Sequence, residues 1–258
     1  IGGIKMKLLE NKVAIITGSG SGIGKEIATT YAQEGAKVVI ADFNEEVMNA
    51  TVKELIDAGY TAMGVKVNVS NEEDVQRMVE ESIAKFGRID ILVNNAGVGD
   101  NMQAAANVED NIWNRVMDIN VTGVMRCIRR ILPHFEENGG GTIVNMASLS
   151  GVMGGRGGLT YTAAKHAVVG MTKNVASHYG PLNIRANAIA PGHVETGFSA
   201  KMTNIDPFGM KQATRGVNMI TKAGQVSDIA NIALFLASDQ SQLINGVVIT
   251  ADGGWSAY

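Results

Sequence analysis

Tyr161 and Lys165 stand four residues apart in a helix-patterned segment, which puts both side chains on one face about one turn apart. A tyrosine ordinarily titrates near ~10, too high for easy proton exchange at neutral pH. A lysine cation one turn away favours the phenolate and lowers that value, so Tyr161 is a candidate general acid or base. Most Tyr-x-x-x-Lys pairs only decorate a helix surface, so the weight of this one depends on what converges with it. A second group is the run Thr17-Gly18-Ser19-Gly20-Ser21-Gly22-Ile23-Gly24, set between a β-branched run and a helical pattern. Glycines there let backbone N–H groups approach a diphosphate, and a helix N-terminus adds partial positive charge.

The spacing of that run is not a standard one. Counted from Gly18, the last glycine of G-x-G-x-x-G falls on Ile23, and counted from Gly20 it falls on Lys25. The P-loop pattern fails as well, because Ser19 stands at its first glycine and Glu26 at its Ser/Thr. Glycines 18, 22 and 24 therefore read either as a nucleotide-binding turn or as a plain glycine-rich turn. Asp42 closes the second candidate strand, 24 residues after Gly18, where a carboxylate can accept hydrogen bonds from adenosine ribose hydroxyls. The alternative is a strand-end Asp that caps the next turn. A carboxylate there repels a 2′-phosphate, neither Ser21 nor Phe43 supplies a cation, and Lys25 inside the helix start points to solvent. This favours NAD, with NADP the weaker choice.

The elements that must position these groups alternate along the whole chain. Strands are expected at 13–17, 37–42, 62–67, 89–93, 142–147, 184–189 and 247–251. Several are apolar almost throughout, as parallel strands covered on both faces are. Helices are expected at 23–34, 45–58, 72–86, 108–136, 159–179 and 228–237, with Ser70 and Glu73 as a capping box before the third. Seven strands alternating with helices and no composition break predict one α/β domain over residues 1–258, a doubly wound parallel Rossmann sheet with helices on both faces. Residues 196–221 have weak periodicity and several methionines. They predict a long loop with short helices, a lid over the substrate with Gly197, Gly209 and Gly216 as hinges.

Composition narrows the function classes. Of 258 residues, 45% are hydrophobic and 18% charged, with a net charge of −3, so one core can form and disorder is not expected. No Lys/Arg cluster advertises a nucleic acid or an anionic membrane. No apolar run reaches the ~18 residues of a membrane span. The single cysteine, Cys127, can build neither a disulfide nor a zinc site and reads as a small core hydrophobe; no metal site is expected. No signal-peptide pattern is seen, Met6 is a plausible native start with residues 1–5 an added remnant, and the cytoplasm is the expected location.

Taken together the motifs resemble the short-chain dehydrogenase/reductase family, in its branch of roughly this length. The resemblance runs from Lys7 to Gly254. It rests on Thr17-Gly-x-x-x-Gly-x-Gly24, Asp42, Asp90-x-Leu-Val-Asn-Asn-Ala-Gly97, Asn120, Ser148, Tyr161-x-x-x-Lys165, Pro191-Gly192 with Thr196, and Asp252-Gly-Gly254. It implies an oxidoreductase that moves a hydride between a nicotinamide and a carbonyl or secondary alcohol. By that resemblance Ser148 hydrogen-bonds the substrate oxygen and Tyr161 gives or takes the proton. Lys165 holds the nicotinamide ribose and lowers the Tyr161 pKa. Asn120 kinks or opens its helix and holds a relay water.

The cofactor cradle implied is Gly18, Ser21, Gly22, Ile23, Gly24, Asp42, Phe43, Asn68, Val69, Asn95, Ala96, Gly97, Tyr161, Lys165, Pro191, Gly192, Val194 and Thr196. Asn68 stands where the family usually has Asp, and its amide oxygen is expected to keep the contact to the adenine amino group. His166 and His178 read as structural; His193 has the better chance of facing the site. Leu149, Met153, Met202, Phe208 and Met210 suggest an apolar pocket for a small-molecule carbonyl or alcohol, with plain packing the equal alternative for the methionines. The helical segments 108–136 and 159–179 carry apolar residues round more of their circumference than one sheet contact consumes, Trp113, Val116, Met117, Val124, Ile128 and Ile131 among them. With the resemblance, this implies a homotetramer. Two rival readings stand beside this one, of which the first shares these motifs and the second typically lacks the Tyr or Lys. One is an NADPH-linked 3-oxoacyl-carrier-protein reductase. The other is a catalytically silent dinucleotide-binding regulator.

Overall fold

Residues 7–198, 202–220 and 222–257 are described by the computed structural model. Seven short runs, most of them rich in β-branched residues, become strands: β1 Val13–Thr17, β2 Lys37–Asp42, β3 Ala62–Lys66, β4 Ile91–Asn94, β5 Gly141–Met146, β6 Ile184–Pro191 and β7 Val248–Ala251. All neighbours pair parallel, in the order β3-β2-β1-β4-β5-β6-β7. Alternate residues of the central strands feed two separate cores. Ile15, Leu92 and Ile143 face one layer, and Ile16, Val93 and Val144 face the other. Such buried side chains contribute roughly 1.5–3 kcal/mol each.

The helices are α1 Gly22–Gln33, α2 Glu45–Asp57, α3 Glu72–Phe86, α4 Asp110–Met117, α5 Gly123–Glu137, α6 Leu159–Tyr179, α7 Pro207–Ala213 and α8 Val226–Ala237. Residues of α3, α5 and α6 cover the first core, and residues of α1, α2 and α8 the second. The chain leaves β1 toward β2 on one side and later returns to β4 on the other, which opens a crevice beyond the carboxyl ends of the strands.

Three expectations are corrected here. The single helix over 108–136 is broken: a π-turn, Asp118–Thr122, separates α4 from α5, closed by the Gly123 N–H donating to the Asp118 carbonyl. The cap of α3 is Asn71, whose side chain accepts from the Asp74 N–H, while the Ser70 hydroxyl donates to Asn68 Oδ1 at 2.7 Å. Residues 196–221 hold short helices as expected, but Gly209 is no hinge. It lies inside α7, where a Cβ would stand 1.8 Å from the Met102 carbonyl oxygen, so it serves close packing instead. Residues 1–5 and positions 199–201 and 221 of the expected lid lie outside the described residues.

Candidate active site

The glycine-rich turn joins β1 to α1. Gly18 and Gly22 have φ +64 and +57, in the left-handed region. A Cβ at Gly24 would strike the Gly18 carbonyl oxygen at 2.4 Å, whereas the space above Gly22 is open to 4 Å. Ser21 provides no side-chain cap for α1, and its first turn holds no acidic residue. Uncovered first-turn N–H groups beneath an open glycine suit a diphosphate.

Asp42 is fixed beside this turn. Its carboxylate accepts from the Gly20 N–H and the Asn44 N–H, both at 2.9 Å, and each oxygen keeps a further lone pair for a ribose hydroxyl. Lys25 is paired with Glu54 at 2.6 Å, Lys66 with Glu45 at 3.1 Å, and Lys37 lies over the Phe86 ring. Phe43 is 69% exposed, an open ring face beside the carboxylate. The Asn68 oxygen departs from expectation, since it already accepts from the Ser70 N–H and hydroxyl. What that amide retains is its Nδ2 donor. Val69 beside it is buried against Gly123.

The loop after β4 is held by amides. Asn95 Nδ2 donates to the Thr17 and Gly18 carbonyls at 3.0 Å, and Thr17 Oγ1 accepts from the Asn95 and Ala96 N–H groups. Asn94 donates to Asn145 on β5, and Asn145 donates to Thr172 on α6. In the π-turn Asn120 is turned inward and is 1% exposed. Its Oδ1 accepts from the Val98 N–H at 2.8 Å and its Nδ2 donates to the Val98 carbonyl at 2.9 Å. The position next to Gly97 brings two groups together: a Cβ there would lie 3.3 Å from Asn120 Oδ1 and 3.7 Å from Lys165 Nζ.

Tyr161 and Lys165 sit in the first two turns of α6. Lys165 Nζ donates to the Met146 carbonyl at 2.7 Å and lies 5.5 Å from the Tyr161 ring centroid. Burial pulls the ammonium down to about 8. Burial also pushes the Tyr161 phenol up to about 12; the neighbouring Ser148 hydroxyl draws it down, and the Asp100 carboxylate raises it. The expected lowering of Tyr161 by Lys165 is absent from this balance. The cation is itself disfavoured by burial, and its bond to the Met146 carbonyl uses one of its three N–H donors. Ser148, just past β5, also accepts from the Ser150 N–H at 3.2 Å.

Pro191 ends β6, the Gly192 N–H donates to the Ala251 carbonyl, and Val194 bridges to Gly224. Thr196 Oγ1 accepts from the Phe198 N–H. Two neighbours of Tyr161 escaped the sequence. The Phe198 ring stands 5.9 Å from the Tyr161 ring at 53°, and Asp100 accepts from the Tyr161 N–H at 2.8 Å. Only the absence of a capping residue before α6 hinted at Asp100. The Met202 sulfur would be 3.1 Å from a Cβ at Gly99, and Leu149 is buried, while Phe208 and Met210 are exposed. His166, His178 and His193 are exposed. Cys127 is buried and its thiol is pushed up to about 12. Among the described residues no cluster of His, Cys, Asp or Glu could hold a metal ion, and no helix is long and apolar enough to cross a membrane.

Comparison with known proteins places this site in company. A family profile described as enoyl-(acyl carrier protein) reductase matches residues 18–256. The chain is 46% identical over 252 residues to 3beta-hydroxysteroid dehydrogenase 2 of Eggerthella lenta, covering 97% of each. Two solved structures align closely. One is a 3-ketoacyl-(acyl-carrier-protein) reductase from Brucella melitensis complexed with NADH, at TM-score 0.85 and 38% identity, covering 96% of this chain and 99% of that one. The other is a 7 alpha-hydroxysteroid dehydrogenase complexed with NADH and 7-oxo glycochenodeoxycholic acid, at TM-score 0.86 and 33% identity, covering 98% of each.

Proposed function

This chain belongs to the short-chain dehydrogenase/reductase family, and from that premise we propose an NAD-dependent dehydrogenase of bulky alicyclic secondary alcohols of the hydroxysteroid class. It is an oxidoreductase that interconverts secondary alcohols and carbonyls, and its cofactor is a nicotinamide dinucleotide. The observation that carries the mechanism is the convergence of four groups at the ends of β4 and β5: Asn120 and Lys165 meet beside Gly97, and Ser148 and Tyr161 face each other next to them.

In oxidation the Tyr161 hydroxyl, as phenolate, takes the proton of the substrate alcohol; in reduction it returns it. Ser148 donates a hydrogen bond to the substrate oxygen and stabilises the charge that develops there. Lys165 holds the nicotinamide ribose, and Asn120 holds a relay water while keeping Val98 and Gly97 in place. When bound, the nicotinamide supplies the hydride acceptor or donor, and in its oxidised form a positive charge that favours the phenolate. Gly18, Ser21, Gly22, Ile23 and Gly24 cradle the diphosphate, Asp42 and Phe43 the adenosine ribose, and Asn68 and Val69 the adenine. Asn95, Ala96 and Gly97 line the cleft, and Pro191, Gly192, Val194 and Thr196 close over the nicotinamide. The choice of NAD over NADP is supported by Asp42 and by lysines already engaged elsewhere.

The substrate class rests on the 46% identity to a hydroxysteroid dehydrogenase and on Phe198 and Met202, which give the cleft an apolar wall. A second reading, a 3-oxoacyl-carrier-protein reductase, is favoured by the 38% identical neighbour, and because that neighbour holds NADH, cofactor choice alone does not separate the two. A silent regulator fits poorly with four intact and converging groups. We assign the enzyme to the cytoplasm as a homotetramer. The tetramer is supported by a groove of about 540 Å³ between α5 and α6, lined by Met125, Ile128, Leu132, Pro133, Met171 and Val175, together with the position of β7 at one edge of the sheet.

Competition between substrates tests this reading. Purified enzyme with NADH should reduce a 3-ketosteroid with kcat/KM at least about tenfold above an acetoacetyl thioester. The opposite order promotes the carrier-protein reductase, and no turnover of either with NADH or NADPH overturns both enzymatic readings.

A further inference from the structure

Helix α6 begins without a cap of its own. Its N-cap is Gly158, no side chain caps it, and its first turn has no acidic residue, although Tyr161 sits in that turn. A carboxylate from elsewhere fills the place. Asp100, on the loop between β4 and α4, is 2% exposed; its Oδ2 accepts from the Tyr161 N–H at 2.8 Å and its Oδ1 from the Met102 N–H at 3.1 Å. A Cβ at Gly158 would stand 2.3 Å from Asp100 Oδ2, so the N-cap must be glycine for the carboxylate to enter.

We propose that Asp100 is a positioning residue for Tyr161, capping α6 from outside and tying its first turn to the loop that Asn120 clamps. The connection is short and continuous. Asn120 grips both the N–H and the carbonyl of Val98, the Gly99 carbonyl accepts from Arg115 Nη2 at 3.2 Å, and Asp100 follows with its bond to Tyr161. Misplacement of a reacting group by about 1 Å can cost on the order of a hundredfold in rate, so a rigid link between the phenol and the cofactor-side loop matters for turnover. The proposal rests on the reading of Tyr161 as the proton-transfer group.

Asp100 also acts through its charge. An anion at a helix N-terminus is favourable; burial pushes the Asp100 carboxyl up, and the Tyr161 and Met102 N–H groups that donate to it draw it only part of the way back. As a carboxylate it raises the Tyr161 phenol. Charged groups on the elements that meet here are engaged elsewhere: Lys165 on the Met146 carbonyl, Arg115 on the Gly99 carbonyl, Arg156 on the Arg215 carbonyl, Glu109 on Gln103, and Asp206 on the Ala104 N–H. None of the described ion pairs includes Asp100.

The test compares Asp100→Asn, Asp100→Ala and Gly158→Ala in the full-length enzyme, with NAD affinity, kcat, KM and the pH profile of oxidation as readouts. Asp100→Asn keeps an acceptor for the Tyr161 N–H but loses the charge. Its plateau kcat should stay within about threefold of wild type while the alkaline rise of the profile moves at least half a unit toward acid. Asp100→Ala loses the acceptor, and kcat should fall at least tenfold with KM and NAD affinity within about twofold. Gly158→Ala displaces the carboxylate and should reproduce Asp100→Ala, the double variant being no worse than either single one. Asp100→Ala with wild-type kcat, or Asp100→Asn with an unmoved profile, overturns the proposal. Should Asp100→Ala fail to fold, Asp100→Asn and Gly158→Ala decide it. An active Tyr161→Phe enzyme sinks the underlying reading instead, which keeps the two failures distinct.

Discussion

Tyr161 and Lys165 are driven in opposite directions by the same burial, the phenol up to about 12 and the ammonium down to about 8. The first consequence is that Tyr161→Phe, which removes only the hydroxyl, should keep the fold and NAD binding and retain less than a tenth of wild-type turnover; calorimetry and initial rates check both halves. The second concerns stability. The unfolded chain keeps Lys165 protonated up to its ordinary lysine value, whereas the folded chain releases that proton near 8. Below about 8 the folded state therefore carries the full cost of a buried cation, and between the two values its stability rises with pH. Lys165→Met should thus be inactive yet more stable at pH 7 by up to about 3 kcal/mol, with the gain vanishing above the ordinary lysine pKa in pH-resolved thermal melts. Residues of this kind were legible because their helical spacing coincides with the glycine-rich turn, Asn120 and Ser148 in one ordered set of motifs. Asp100 and Phe198 were not, since one acts on a backbone N–H 61 residues away and the other lies in a stretch without periodicity.

The elements were legible to differing degrees, and the physics of each explains why. Strands buried on both faces announce themselves as apolar runs, and all seven lie where expected, with ends shifted by a residue or two. The two sheet faces follow from simple alternation along β1, β4 and β5. The π-turn could be foreseen only as a disturbance at Asn120, because its extra residue per turn is set by the side chain's grip on Val98. Caps are set by fine geometry, and Asn71 wins over Ser70 because Asn68 engages the serine hydroxyl. The expected lid is better anchored than its weak periodicity suggested. Asp206 accepts from the Ala104 N–H, Asn107 and the Phe208 N–H, which fastens α7 to the loop carrying Asp100. Amide exchange in α7 should slow when NAD and a steroid bind. Asp206→Ala should speed exchange there and raise KM several-fold with kcat changed by less than about threefold. Exchange in the free enzyme as slow as in β4 and β5 would argue that this segment does not open.

At the scale of the whole molecule, the groove between α5 and α6, with Met125, Pro133 and Met171 in its lining, and the sheet edge at β7 are the surfaces proposed to meet another copy. Leu243, shortly before β7, is 98% exposed. Met125→Glu combined with Met171→Glu places charges in the α5–α6 groove. The doubly substituted chain should fold but assemble no further than a dimer, whereas light scattering should give a tetramer for wild type at micromolar concentration. A wild-type monomer there would refute the assembly. The account as a whole depends on hydride transfer with NAD, and the adenosine end decides that choice. Each charge-assisted hydrogen bond from a ribose hydroxyl to Asp42 is worth roughly 1.5–3 kcal/mol, while a 2′-phosphate meets a carboxylate and engaged lysines. The most direct measurement follows NADH or NADPH formation during oxidation of a 3β-hydroxysteroid by the purified enzyme. The expected result is turnover with kcat/KM at least tenfold higher for NAD than for NADP, a difference of about 1.4 kcal/mol, and Asp42→Ala narrowing the gap chiefly by weakening NAD. Equal or better efficiency with NADP, or no reduced cofactor at all, would contradict the account.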